Sequence, residues 1–195
     1  MRPYIPRLTA IAVTLLFAGC VIYRHVPQRA YTPAELRWAD SVSAVREAEL
    51  AAILVGDPGQ RRARMVRNAL LDSVARGRAR DMAARGYFSH VNPDGIGANT
   101  LLEAAGHRLP AHYDHSPAGS NIESAGAGPP YARAQTAWRA WMGSPPHRTH
   151  LLGLNPTFAA QTEFGIGYVW RPQSREGHYW VVLIAPPAEP PPVVP

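Results

Sequence analysis

The stretch HYWVVLIA, residues 178 to 185, restricts the fold more than any other part of the chain. Successive residues of a strand point to opposite faces, and here both sets are apolar, so the sequence predicts a central strand covered on both faces. FGIGYVW at 164 to 170 is a second strand, rich in β-branched and aromatic residues, and the polar RPQSREG joins the two.

Helices precede this strand pair. Thr32 before Pro33 reads as an N-cap followed by a proline at the first helical position. Leu36, Ala39, Val42, Leu50, Ile53 and Leu54 then recur at helical spacing until GDPG at 56 to 59 ends the run. A second helix is predicted from about Gln60 to Arg85, with Val66, Leu70, Leu71, Val74 and Met82 as its apolar face and Gly86 as its stop. Arg78 interrupts that face, which predicts a kink or break near Gly77. Residues 87 to 130, rich in Gly, Pro, Asn and His, form a loop long enough to be functional or to carry short elements, with a helical turn or two at Thr100 to Ala105. A further helix from Tyr131 to Met142 turns Ala134, Trp138, Trp141 and Met142 toward a core, and SPPHR breaks it.

A chain of 195 residues with 46% hydrophobic and 17% charged residues is about one globular domain. All twenty basic residues are Arg, giving a net charge of +6. Those between Arg46 and Arg85 are interleaved with Glu47, Glu49, Asp57, Asp72 and Asp81, the pattern of solvated helix surfaces, so no nucleic-acid partner is expected. Arg2 and Arg7 precede the apolar run Leu8 to Tyr23, which is short for a bilayer span and reads as an export signal. LLFAGC at 15 to 20 resembles a bacterial lipoprotein signal, cut before Cys20 and acylated there, although Phe17 stands where such signals usually carry Leu. A simple signal peptide or an uncleaved anchor are the other readings. Cys20 is the one cysteine, so the exported domain is held by its core without disulfides. The tail PPAEPPPVVP is a polyproline-like spacer.

Three stretches line up ahead of the strands: RDMAARGYFSHVNPDG (80 to 95), AGSNIESAG (118 to 126) and AWRAWMGSPPHRTHLL (137 to 152). In this order and spacing the set resembles the CAP superfamily of SCP-like extracellular proteins, which includes cysteine-rich secretory, antigen 5 and plant pathogenesis-related proteins. The resemblance spans roughly Arg61 to Pro186. It implies an α+β fold, a three-layer α-β-α sandwich around a small, mainly antiparallel sheet. The expected organisation is a signal peptide at 1–19, a tether at 20–31, an N-terminal helix at 32–58, the CAP domain at 60–186 and the Pro-rich tail at 187–195.

The resemblance also implies a cleft where two histidines and two glutamates can hold a divalent metal. His90 and His147 match the histidines, but Ser120 occupies the place of the first glutamate, in GENI, and Ser144 that of the second. Glu123 is the nearest replacement carboxylate. In a strand it would turn away from the place of Ser120, whereas in a helical turn it could reach. A catalytic zinc wants about three protein ligands and an open position, so the candidate metal set is His90, His147 and Glu123. His150 and the pair His112 and His115 around Asp114 are further candidates, although such loop clusters are more often solvated. The histidines could instead bond backbone and hold the loop, as buried polar groups need partners. Trp138 and Trp141 read as core, Asn92 and Asp94 as turn formers, and Asn121 as a cap or brace of the cleft.

The function expected is an exported, membrane-tethered binding or scaffolding module of the cell envelope, on the periplasmic or cell-surface side, or secreted. A lipid, a glycan, a protein partner or a weakly held metal such as zinc would occupy the His90/His147 cleft. A metal-assisted or His-based hydrolase using the same cleft is the alternative. Against it, neither Ser120 nor Ser144 sits in a recognised nucleophile elbow.

Overall fold

The computed structural model describes residues 32–190. The signal segment, Cys20, the tether and residues 191–195 of the tail lie outside the described residues. Six α-helices and a four-stranded sheet form a three-layer α+β sandwich: α1 (Pro33–Gly56), β1 (Val66–Arg67), α2 (Ala69–Arg85), α3 (Ala98–Ala104), β2 (Glu123–Ala127), α4 (Ala134–Met142), α5 (Pro145–Leu152), α6 (Pro156–Ala159), β3 (Glu163–Trp170) and β4 (His178–Ala185). Strand order is β1-β3-β4-β2, with β1 parallel to β3 and the other two pairs antiparallel.

Strand β4 is central, and the alternation of its side chains builds both cores. Tyr179, Val181, Leu183 and Ala185 pack with Leu71, Ala75, Ala79 and Met82 of α2. Trp180, Val182 and Ile184 pack on the other face with Leu50 and Leu54 of α1, Trp138 and Trp141 of α4, and Leu151 of α5. Helix α1 is therefore one wall of the sandwich rather than an element outside residues 60–186. Thr32 caps it as expected, in a capping box with Glu35.

Three expectations are corrected. The second helix begins at Ala69 and not near Gln60, because Asn68 caps it through Leu70 N–H and Leu71 N–H, while Val66 and Arg67 pair as a strand with β3. Helix α2 runs unbroken past Gly77, and the Arg78 that interrupts its stripe is buried. The segment SPPHR ends α4 but also starts α5, with Pro145 and Pro146 in its first turn.

Glu47 and Asp72 are buried as well, contrary to the solvated surface read from their charge pattern. Strand β1 covers only the first two residues of β3, and beyond it the edge amides of β3 need acceptors. Asp72 Oδ1 accepts from Ile166 N at 2.8 Å and Glu47 Oε1 from Tyr168 N at 3.1 Å. Arg76 donates to Glu47, and Arg67 donates to Asp72, so the two carboxylates that cap the edge are also paired.

Helix α2 lies on β3 at Gly165 and Gly167. A methyl group at Gly165 would stand 2.1 Å from the Leu71 carbonyl carbon, and one at Gly167 would stand 2.3 Å from that of Ala75. Backbone contacts this close leave no room to repack. Gly167→Ala is expected to cost at least about 1–3 kcal/mol, the usual range for overpacking. Urea unfolding of the variant beside the parent protein measures that loss, and an unchanged midpoint would refute the contact.

Candidate functional site

The site lies where edge strand β2 begins, between the α2 layer and the α5 layer. Glu123 pairs with Leu183 and shares its face toward α2, whereas Ser124 pairs with Val182 and faces α5. Two consecutive residues thus send polar side chains to opposite sides of one strand.

On the α2 side, Glu123 is fully buried at its side chain and meets Arg78, whose side chain is 1% exposed. The guanidinium binds both carboxylate oxygens, through Nε to Oε1 at 3.0 Å and Nη2 to Oε2 at 3.3 Å. Its other donors reach Tyr87 Oη at 2.9 Å, the Ser89 carbonyl at 3.0 Å and the His90 carbonyl at 2.9 Å. Tyr87 in turn bonds Asp81. Burial works against the Arg78 charge, yet the hydrogen bond and attraction to Glu123 outweigh it and hold its pKa above the usual value. One side chain of α2 thereby fixes the carboxylate and the backbone of the loop that carries His90.

His90 Nδ1 lies 2.8 Å from Glu123 Oε2, and its side chain is about half exposed. A carboxylate on one ring nitrogen sets the ring's orientation and leaves Nε2 to meet a ligand. The Asn92 side chain accepts from Asp94 N and Ile96 N, and Asp94 pairs with Arg85, so these residues build the turn after His90 as expected.

On the α5 side, His147 Nδ1 lies 2.8 Å from Ser144 Oγ, at the start of the helix. Ser144 stands at the N-cap without making a side-chain cap bond. Burial and then the nearby charge of His90 hold the His147 pKa below its usual value, so the ring is neutral at pH 7. His90 therefore lies near enough to His147 to act on its ring electrostatically.

Ser120 and Asn121 form the turn that enters β2, closed by Glu123 N–H donating to the Ser120 carbonyl at 3.2 Å. This turn lets Glu123 reach His90 although it heads a strand. Asn121 Oδ1 accepts from buried Asn99 of α3 at 2.7 Å, and the Asn121 carbonyl accepts from Gln161 at 3.4 Å, which ties the turn to both layers.

The other candidate histidines have partners of their own. His115 bonds Glu103 and the Pro110 carbonyl, and His112 packs against Tyr113. His150 is buried, with Nδ1 at 2.7 Å from Ser124 Oγ. Trp138 and Trp141 are core, as expected.

Among the described residues no group of three or more His, Cys, Asp or Glu side chains is placed to hold a metal ion. The chemistry of the set explains why. The two Glu123 oxygens are taken by Arg78 and the His90 ring, so the carboxylate orients an imidazole and does not stand as a third ligand. Two imidazoles fall short of the roughly three protein ligands of a catalytic zinc. The residues present do not fit that group.

Arg78 is the site residue that the sequence reading missed. An arginine on the core side of an otherwise apolar helical stripe was its signal, since a buried guanidinium requires a buried acid.

Burial, reinforced by the charge of Arg62, pushes the His150 pKa down to about 3. The unfolded chain binds a proton below about pH 6.5 that the folded chain refuses, so stability must fall as pH falls. The loss is about 1.4 kcal/mol per pH unit below 6.5, or roughly 2 kcal/mol by pH 5. Urea unfolding across pH 7 to 4 should show this slope in the parent and its reduction in His150→Phe; parallel pH curves would exclude the assignment.

No known family profile matches the sequence, and no curated protein matches it. Solved structures do match. An extracellular protein containing an SCP domain from Bacillus anthracis superposes with a TM-score of 0.56 at 18% identity, over 81% of this chain and 45% of that one. An outer surface protein from Borrelia burgdorferi matches at a TM-score of 0.48 and 14% identity, over 81% of this chain and 96% of that one. A cysteine-rich secretory protein from Staphylococcus aureus matches at a TM-score of 0.48 and 14% identity, over 73% of this chain and 39% of that one. The chain has the CAP-like fold that its ordered motifs implied, and it spans less than half the length of the Bacillus anthracis protein.

Proposed function

We propose that this CAP-fold chain is an exported, lipid-anchored module of the bacterial cell envelope that binds a ligand in the His90/His147 cleft. The observation that carries the binding reading is the preparation of the two imidazoles. Each has its Nδ1 engaged, His90 by Glu123 and His147 by Ser144, which leaves the two Nε2 atoms for one ligand. A buried ion pair fixes the carboxylate that orients His90. This arrangement suits recognition of a polar group on a lipid, a glycan or a protein. It does not suit a metal held by three protein ligands. The anchoring reading rests on Cys20 after the apolar run.

The Ser144 to His147 contact supports the second reading, a His-based hydrolase in which Ser144 attacks. The surroundings favour it less. Pro145 and Pro146 take the first two helical positions of α5, so they remove two amide donors that could steady an oxyanion there.

Two measurements test the proposal. In cells, Cys20→Ser should move the protein from the membrane to the soluble fraction, and unchanged membrane association would rule out acylation at that residue. Envelope lipids, glycans and zinc, titrated into the purified protein by calorimetry, should give an organic ligand whose affinity drops at least tenfold in both His90→Ala and His147→Ala. Identical isotherms in all three proteins would reject the cleft, and ester or peptide turnover lost in Ser144→Ala would favour the hydrolase.

A further inference from the structure

Helix α1 has two apolar sides. Its buried side, Ala39, Glu47, Leu50 and Leu54, packs on the sheet. A surface helix normally turns polar residues outward. Here the outward positions, three or four residues apart, are Trp38, Ser41, Val45, Ala48, Ala52 and Val55, and every one is exposed. Trp38 is 55% exposed, Val45 60% and Val55 47%. Beside the stripe stand exposed Arg37 and the ion pair of Arg46 with Glu49, whose charges cancel, so the flank carries one unbalanced positive charge. Trp38 is held in place by an edge-on contact with Trp170 at 5.2 Å.

We infer that this face lies flat on an anionic lipid bilayer, the same membrane that holds the acylated Cys20; the inference rests on the anchoring reading above. Chain length and charge single out this occupant. With the acyl anchor at Cys20, the eleven residues 21 to 31 can span at most about 40 Å, so α1 is tethered within reach of the lipid surface. Arg24, Arg29 and Arg37 stand in that approach against one acid, Glu35, as a juxtamembrane segment facing anionic headgroups would have them. Tryptophan favours the headgroup level of a bilayer, and a helix with an apolar outer stripe gains by sinking it there. A second copy of the chain is the rival occupant. Stable association of that kind buries roughly 800 Å² per partner, and a stripe one helix wide built on Ser41, Ala48 and Ala52 is thin for it.

The test uses the full chain in phosphatidylcholine–phosphatidylglycerol vesicles with brominated acyl chains, which quench nearby tryptophan. All five tryptophans follow residue 31, so the anchoring segment adds no signal of its own. The protein should float with the vesicles and its emission should be quenched. Trp38→Phe should remove most of that quenching. Val45→Glu with Val55→Glu should abolish it while flotation persists, since both positions are exposed and circular dichroism should stay unchanged. Flotation without quenching, or quenching that survives the double substitution, overturns the docked face and leaves the anchor standing. Failure to float overturns both. A cross-linked dimer that the double substitution dissolves, with no quenching in the parent, assigns the face to a second copy instead.

Discussion

The position of His90 depends on a buried ion pair between Arg78 and Glu123. Each partner would be costly alone, because a desolvated charge without a counterion is strongly disfavoured. Together they satisfy each other and most of what surrounds them. The guanidinium spends its remaining donors on Tyr87 and on the carbonyls of Ser89 and His90, and the carboxylate keeps one oxygen for the His90 ring. Removing one partner of such a pair typically costs roughly 3–5 kcal/mol. Here the same change would also release the loop that carries His90. Stability and site geometry are therefore linked through a single contact between a helix and an edge strand.

The pair also accounts for the carboxylate. The CAP resemblance implies a glutamate where this chain has Ser120, and Ser120 contributes a turn instead. The acid comes from three residues further on, at the head of β2, and it approaches His90 from below with Arg78 beside it. A carboxylate so placed serves as a support for an imidazole. On the other face of the same strand, Ser124 meets His150 in an environment dry enough to keep that ring neutral. Polar groups therefore flank the strand on both sides, Glu123 with Arg78 and His90 on one and Ser124 with His150 on the other.

Much of this was legible in the sequence where local physics decides. Strand β4 announced itself by being apolar on both faces, Thr32 and Pro33 marked a helix start, and the spaced motifs implied the fold. What escaped the reading depended on contacts between distant residues. Glu47 and Asp72 look like surface acids in a mixed-charge run, and only the short β1, which leaves β3 amides uncovered, explains their burial. Strand β2 is ESAGA, with little β-propensity, and owes its form to pairing with β4. Arg78 looked like a flaw in an apolar stripe because its partner lies 45 residues away.

The claim that folding sets two imidazoles side by side above this pair has a direct readout in the titration of His147, followed by NMR of its ring protons. In the parent protein its midpoint should lie below the usual value near 6.5. In His90→Ala it should move upward, because a positive neighbour is gone. A His147 midpoint that does not respond to His90 would mean that the rings do not share a cleft, and the account of the site would fail.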